Sequence, residues 1–368
     1  MELFATAAKG TEPALRDELR EMRQRGVRAD RGGVHFEGGW EAGWEACMRS
    51  RVAFRVLAKL ATFEAASEAA LYAGVRAIDF TPFLDPKRTL AVSSSLRSSR
   101  LTHSGYVALK TKDAIVDGLR DKFGSRPDVN RDDPDVSVFV HLAKDVATVY
   151  VDLAGDSLHK RGYRQGRIEA PIKETLAAAV VRLSGWDRKR TLCDPMCGSG
   201  TIAIEADLVA RKMAPAIDRR FGFERWTMHD DAMRAKLEAL RESTRARQLG
   251  DGPTIVASDV DESVVTLARE NARRAGARVE FHVAPVQELA PLDPPAQIVT
   301  NPPYDERMRA DQQLVDDVAF ALSGLAGHRV AILTADPRLE KAMEARPIER
   351  RELYNGDIEC ALLLYELR

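Results

Sequence analysis

Cys193-Asp-Pro-Met-Cys-Gly-Ser-Gly-Thr201 stands between a short strand, Thr191 to Cys193, and a helix, Thr201 to Lys212. Glycines let the chain turn tightly and let a ligand reach the backbone. The helix that follows favours an anionic group at its N-terminus. No lysine follows Gly200, so the loop is not a G-x-x-x-x-G-K-[ST] phosphate cradle, and a nucleoside triphosphate fits poorly. Only Gly198 and Gly200 are present, so it is not the G-x-G-x-x-G fingerprint either. Alone, a glycine pair is a weak signal. Asp194, at the strand end, can accept a hydrogen from an amine or hydroxyl of a ligand.

The neighbouring elements strengthen the reading. Ile255-Val-Ala-Ser-Asp259 is an apolar strand ending in an acid, and such an acid can grip two vicinal ribose hydroxyls. Asp261 reads as a helix cap before Glu262. The order strand, glycine loop, helix, strand, acid describes a nucleoside-containing cofactor at the carboxyl ends of the strands. Further strands are expected at Val279 to Val283, Ala296 to Thr300 and Arg329 to Thr334. Helices are expected at Lys173 to Leu183, Glu262 to Ala275, Asp311 to Leu325 and Leu339 to Ala345. Glu352 to Leu353 and Ala361 to Leu367 close the sheet as an antiparallel pair. This alternation predicts a doubly wound α/β sheet. The charged, helix-patterned stretch 213–250 reads as an insertion into it.

The first 160 residues have another rhythm. FATAAKG is strand-like, Glu12 to Arg23 helical, Val27 to Glu37 a hairpin around Gly32 and Gly33, Trp40 to Cys47 helical and Val52 to Leu60 a strand. That order fits a small α+β domain. A second unit follows. Glu68 to Ile78 and Gly105 to Lys122 read as helices, Thr89 to Leu96 as a strand, and Val136 to Leu142 with Val146 to Asp152 as a hairpin. Ser157 to Arg167 joins the halves. It holds four Lys or Arg residues in eleven, and reads equally as a phosphate-contacting join or a solvated linker.

The 368 residues suffice for two or three domains. A charged fraction of 30% and a net charge of −1 exclude a strongly basic nucleic-acid coat. Residues 1–170 hold 27 Lys and Arg against 24 Asp and Glu, which allows a polyanion partner without demanding one. No apolar run approaches a membrane span, and the start does not read as a secretory signal. Four cysteines are too few for a disulfide scaffold. The expected location is cytoplasmic, with no membrane association. Cys193 and Cys197 lack companion ligands, so no metal site is expected.

Asp194-Pro-Met-Cys-Gly-Ser-Gly-Thr201, followed at a distance by Asn301-Pro-Pro-Tyr304, resembles the class I S-adenosylmethionine-dependent N-methyltransferases. The whole chain resembles the THUMP-domain guanine-N2 RNA methyltransferases of the RlmL type, in a short form with one methyltransferase domain. The matching flanks are FATAAKGTEPALRDEL, His159-Lys-Arg-Gly-Tyr-Arg164, Ala170-Pro-Ile-Lys-Glu-Thr-Leu-Ala177 and Leu353-Tyr-Asn-Gly356. The implied architecture is α/β: a C-terminal Rossmann-like methyltransferase domain (170–368), preceded by α+β ferredoxin-like (1–64, completed by 156–168) and THUMP (65–155) domains and a basic linker (156–169).

The resemblance implies S-adenosylmethionine as cofactor. It would be held by Asp194, Pro195, Met196, Cys197, Gly198, Ser199, Gly200, Thr201, Asp259, Val260 and Gln287. The family usually carries an acid after the third strand to hold the adenine amine. Register puts Pro285 there, and Gln287, Glu288 or a backbone carbonyl is the expected substitute. Asn301, Pro302, Pro303 and Tyr304 are the implied catalytic set. The prolines remove two N–H donors and leave acceptors, so Asn301 and the Pro302 carbonyl can hold the two hydrogens of an exocyclic amine. Tyr304 can stack on a flipped base. No strong base is needed, because the amine loses its proton after attack; positioning carries the catalysis. A nucleophilic role for Cys197 is disfavoured.

The implied partner is structured RNA, 23S rRNA foremost, with no obligatory protein partner. Candidate RNA contacts are Arg97, Arg100, Lys110 and Lys112 in the THUMP-like part and His159, Lys160, Arg161, Tyr163 and Arg164 in the join. The competing readings are tRNA guanine-N2 methylation, DNA adenine-N6 methylation and a non-catalytic RNA-binding ribosome assembly factor. The large relatives carry a second half for guanine-N7; with one catalytic domain here, no such activity is expected.

Overall fold

A computed structural model describes residues 1–164, 172–303 and 311–367. The N-terminal elements are β1 (Glu2–Thr6), α1 (Glu12–Glu21), β2 (Arg25–Asp30), β3 (Gly33–Glu37), α2 (Trp40–Arg49) and β4 (Arg55–Glu64). They continue with α3 (Glu68–Arg76), β5 (Thr89–Arg97), α4 (Ser104–Phe123), β6 (Asp128–Val129), β7 (Val136–Ala143) and β8 (Val146–Asp152). Then come α5 (Glu174–Leu183), β9 (Leu192–Asp194), α6 (Thr201–Ala210), α7 (Asp231–Arg245), β10 (Ile255–Asp259), α8 (Glu262–Ala275) and β11 (Glu280–Val283). The chain closes with β12 (Gln297–Thr300), α9 (Gln312–Ser323), β13 (Arg329–Thr334), α10 (Pro337–Ala342), β14 (Glu349–Asn355) and β15 (Ile358–Glu366).

These elements form two units. One comprises Met1–Thr6, Leu19–Leu158 and Ala216–Ser243; the other comprises Ala7–Glu18, His159–Pro215 and Thr244–Arg368.

The first unit is built on one eight-stranded sheet, ordered β2-β3-β1-β4-β8-β7-β5-β6. The sequence suggests two small α+β modules here, but β4 belongs to both. Its first half pairs with β1, and almost its whole length pairs with β8. Ten residues of strand give it the length to do so. Alternation sets the faces: Val136, Val138, Val140 and Leu142 of β7 are buried while their neighbours are half-exposed.

The stretch 216–243, read from sequence as part of an insertion into the last domain, packs instead within this first unit. Phe223 stacks on Trp44 at 5.2 Å between centroids, and Trp226 meets Trp40 at 5.5 Å and Phe83 at 5.0 Å edge-on. Trp44, Phe223 and Trp226 are each no more than 2% exposed. The backbones of Gly222 and Gly155 touch, so a Cβ on Gly222 would lie 2.9 Å from the Gly155 Cα. Burying rings of this size removes several kcal/mol of unfavourable hydration per pair, roughly 1.5–3 for each side chain. That outweighs adjacency in the chain.

The second unit contains the seven-stranded sheet β11-β10-β9-β12-β13-β15-β14. Strands β11 to β13 run parallel, and β15 and β14 are antiparallel. Helices cover both faces. Leu176, Ile202 and Ala268 pack with Val299, Ala331 and Leu333 on one side. Val315, Val318 and Leu339 pack with Ile298, Val330 and Ile332 on the other. Each strand thus feeds alternate residues to two cores, which is why these strands read as continuous apolar runs. The closing hairpin is longer than its sequence suggests, because its outer charged residues still pair through the backbone. Since β10 and β12 flank β9 on opposite sides, the chain reverses its winding there. A crevice opens at the carboxyl end of such a switch point.

Candidate active site

The loop after β9 stands at this switch point. Asp194 is 1% exposed, and its Oδ1 accepts a long hydrogen bond from the Met196 N–H at 3.4 Å. Pro195 is buried and Met196 half-buried. The Cys197 N–H donates to the Ser258 carbonyl at 2.9 Å, which ties the loop to the end of β10. Gly198 takes φ +50° with open space at its Cβ position. Gly200 takes φ +79°, and a Cβ there would press on Ala268 at 3.1 Å and on the Phe281 ring at 3.2 Å. Gly200 therefore meets both reasons for glycine, a left-handed backbone and a close approach.

Asp259 faces this loop. Its Oδ2 accepts the Gly198 N–H at 2.9 Å, and its Oδ1 accepts the Asp261 N–H at 3.2 Å. Asp261 caps α8 as expected, accepting from Ser263 and Val264. Val260, next to Asp259, is 70% exposed, an apolar surface at the rim of the crevice. Gln287 stands exposed on a 3-10 turn, and its amide donates to Asp317 Oδ2 at 2.8 Å. The structure thus gives Gln287 a partner on α9.

The electrostatics differ between the carboxylates. Burial pushes Asp194 up to about 7; the Asp259 charge adds to the rise, while the Thr300 hydroxyl and the Met196 N–H oppose it. Burial also pushes the Cys197 thiol well above its ordinary value. A thiol so raised carries almost no thiolate, which leaves no activated nucleophile there.

Asn301 follows β12. Thr300 is fully buried, Asn301 half-buried, Pro302 buried and Pro303 exposed. Asn301 Oδ1 is buried and has no hydrogen-bond partner among the described residues. A buried acceptor without a partner costs about 1–3 kcal/mol, and a ligand N–H would recover it. Tyr304 lies outside the described residues.

The join differs from its sequence reading, and three of its expected RNA contacts are corrected. Arg161 is 2% exposed at its side chain and pairs at 2.7 Å with Glu205, itself fully buried. The Tyr163 hydroxyl donates to the same carboxylate at 3.1 Å. Arg164 donates to the Ile172 carbonyl and, at 3.1 Å, to Thr201 Oγ1. Arg161 and Tyr163 point inward because the buried Glu205 carboxylate needs cationic and hydroxyl partners, and Arg164 turns to Glu174 and the start of α6. His159 is half-buried, and burial together with Lys173, Lys160, Arg164 and Arg161 lowers its pKa to about 4. It is neutral at pH 7 and brings no charge to a phosphate. Lys160 remains exposed. In the first unit Arg97 and Arg100 are exposed. Lys110 lies 5.4 Å from the Tyr72 ring, and Lys112 pairs with Asp113 at 2.6 Å. Two positions apart on α4, these lysines do not share a face.

Asn271 is a contributor that sequence reasoning missed. Fully buried on α8, it donates from Nδ2 to the Ser199 carbonyl at 3.2 Å and braces the loop. Its signal is an amide on the apolar stripe Val265, Ala268, Ala272. Glu205, an acid inside an otherwise apolar stretch of α6, carried a similar signal.

The arrangement can hold a ligand with a ribose diol at Asp259, a cationic group near Asp194 and an amine at Asn301. The chain is similar to known proteins along its whole length. Residues 2–57 match the RlmL ferredoxin-like domain, 65–152 the THUMP domain and 161–363 the RMKL-like methyltransferase domain. The chain is 39% identical over 386 aligned positions to the ribosomal RNA large subunit methyltransferase K/L of Syntrophotalea carbinolica, covering 100% of this chain and 54% of that protein. It therefore spans about half the length of that curated relative. Among solved structures, SMU.472, a complex with SAH, is 30% identical with a TM-score of 0.88, covering 100% of this chain and 98% of the other. A possible methylase of Clostridium difficile 630 is 30% identical with a TM-score of 0.91, at 100% and 98% coverage. A protein of Listeria monocytogenes described as a predicted N6-adenine-specific DNA methylase is 29% identical with a TM-score of 0.90, at 100% and 96% coverage.

Proposed function

The chain belongs to the RMKL-like methyltransferase family, and from that premise we propose that it methylates the exocyclic N2 of a guanine in structured RNA, 23S rRNA foremost. S-adenosylmethionine is the cofactor. The residues present fit it: two loop glycines in left-handed conformations, one with open space above it, and a carboxylate at the end of each of two adjacent strands. When bound, the cofactor supplies an electrophilic methyl group. Asp259 holds the ribose diol, Asp194 faces the amino-acid end, and Val260 offers an apolar surface to the base.

The observation that carries the chemistry is the buried Oδ1 of Asn301, which has no partner among the described residues. It accepts one hydrogen of the target amine, and the Pro302 carbonyl accepts the other. Both prolines lack an N–H, so no backbone donor at those positions competes with the amine. Held this way, the nitrogen lone pair is oriented for in-line attack, and positioning supplies the catalysis. After attack the nitrogen is cationic and gives up its proton readily. The 39% identical relative is named for large-subunit rRNA, which supports 23S rRNA over tRNA. The THUMP match supports RNA over DNA.

The test is transfer of labelled methyl from S-adenosylmethionine to RNA lacking the native modification, fractionated into 23S, 16S and tRNA and digested to nucleosides. Label in N2-methylguanosine from 23S RNA is expected. The same nucleoside from tRNA would move the substrate. Label in N6-methyladenosine of duplex DNA would replace the reading with the alternative in the Listeria protein's description. Absence of both cofactor binding and transfer would leave a non-catalytic RNA-binding protein.

A further inference from the structure

Arg164 of the join begins a chain of polar contacts that leads to the glycine loop. Arg164 Nη2 donates to Thr201 Oγ1 at 3.1 Å, and Thr201 Oγ1 lies 3.2 Å from Ser199 Oγ. A guanidinium has donors only. Thr201 must therefore accept from Arg164, and its own proton is then free to go to Ser199. Among the described residues Ser199 Oγ has no other hydrogen-bond partner, so when Thr201 donates to it the Ser199 proton is available to an acceptor on a ligand.

Arg164 is well placed for this task. Its Nε faces the buried Glu174 carboxylate at 3.7 Å, and Nη2 also holds the Ile172 carbonyl. Arg161 and Tyr163 anchor the same segment on Glu205. Glu205 is four positions after Thr201, so both fall on one face of α6. Three residues of the join thus grip the first two turns of the helix that starts at the glycine loop. That helix has no side-chain cap at its N-terminus, and its free N–H groups favour an anion beside Ser199.

We infer that Arg164 is a positioning residue for the cofactor: through Thr201 it sets the Ser199 hydroxyl as a donor to the carboxylate of the amino-acid end of S-adenosylmethionine. Arg164 does not touch the cofactor. The inference rests on the cofactor reading above and adds a residue from the join to it.

Calorimetric titration of the full chain tests it with two probes. S-adenosylhomocysteine carries the amino-acid carboxylate; 5′-methylthioadenosine lacks it. Wild type should bind both. Arg164→Met, Thr201→Val and Ser199→Ala should each weaken S-adenosylhomocysteine by roughly 10–150-fold, the range for a lost hydrogen bond to a charged group, and leave 5′-methylthioadenosine unchanged. The double variant R164M/T201V should be no weaker than either single one, and Arg164→Lys, which keeps a donor, should recover most of the loss. Equal weakening of both probes, or unchanged S-adenosylhomocysteine binding in a folded R164M protein, would overturn the inference. If R164M fails to fold, T201V, isosteric with the native residue, decides in the same way. Wild type that binds neither probe would refute the cofactor reading itself, a result distinct from failure of the Arg164 role.

Discussion

Asp194 is a buried carboxyl, and Asn301 carries a buried Oδ1 with no partner among the described residues. Burial holds Asp194 up to about 7, against an ordinary value of 3.8. In the ligand-free protein this carboxyl keeps its proton where the unfolded chain has lost it. Its contribution to stability is thus greatest below about pH 4 and falls as pH rises towards 7. A cationic ligand group beside it reverses the preference and favours the carboxylate. Affinity for S-adenosylhomocysteine should therefore rise with pH up to about 7 and then level off. Titrations in buffers of different ionisation enthalpy should register proton release below that pH, and Asp194→Asn should flatten both trends. Asn301→Ala should abolish methyl transfer and leave cofactor affinity within about threefold, since a side chain that meets only the substrate amine acts in positioning alone. Transfer at the wild-type rate in that variant would remove Asn301 from the mechanism.

Among the elements, the glycine loop and α8 are matched parts. Gly200 has a left-handed backbone, and a Cβ there would crowd Ala268 and Phe281. Gly200→Ala should cost roughly 1–3 kcal/mol from backbone strain, with added crowding against α8. Urea denaturation would measure that loss, and cofactor affinity should fall with it, because the loop cannot shift without moving the Gly198 N–H from Asp259. Much of this level was legible in the sequence. The strand–loop–helix order around Cys193 to Thr201, the acid ending β10 and the Asp261 cap are consequences of neighbours a few residues apart. Gln287 was less legible. Register put Pro285 at the adenine position and Gln287 was named only as a substitute; its amide meets Asp317, thirty positions away.

At the scale of the molecule, chain order and packing part company twice. Residues 216–243 belong to the first unit although they lie between α6 and β10. Residues 7–18 belong to the second although Met1–Thr6 before them and Leu19–Leu158 after them belong to the first. There Lys9 pairs with Glu352 at 2.6 Å and donates to the Tyr354 hydroxyl at 2.8 Å, and a Cβ on Gly10 would collide with the Glu352 carbonyl oxygen. A fragment beginning at residue 159 would therefore carry Phe221, Phe223 and Trp226 without Trp40, Trp44 and Phe83. Such a fragment should aggregate on expression, and replacing 216–243 by a short polar linker should restore solubility. Size-exclusion chromatography of the two fragments would decide; an equally monodisperse unmodified fragment would contradict the packing described here.

The sequence by itself determined the alternation of strands and helices, the cofactor loop with its two carboxylates, and the acceptor-rich turn at Asn301. Each depends on local periodicity, on the conformations open to glycine and proline, and on motif order. Only the tertiary structure decided that Arg161, Tyr163 and Arg164 face inward. Charge and exposure cannot be told apart in a basic segment until its partners are known, and Glu205, the partner of two of them, lies more than forty residues downstream. The same holds for the aromatic residues of 216–243. Their hydrophobicity requires burial, but only the fold supplies Trp40, Trp44 and Phe83 as the surface that buries them.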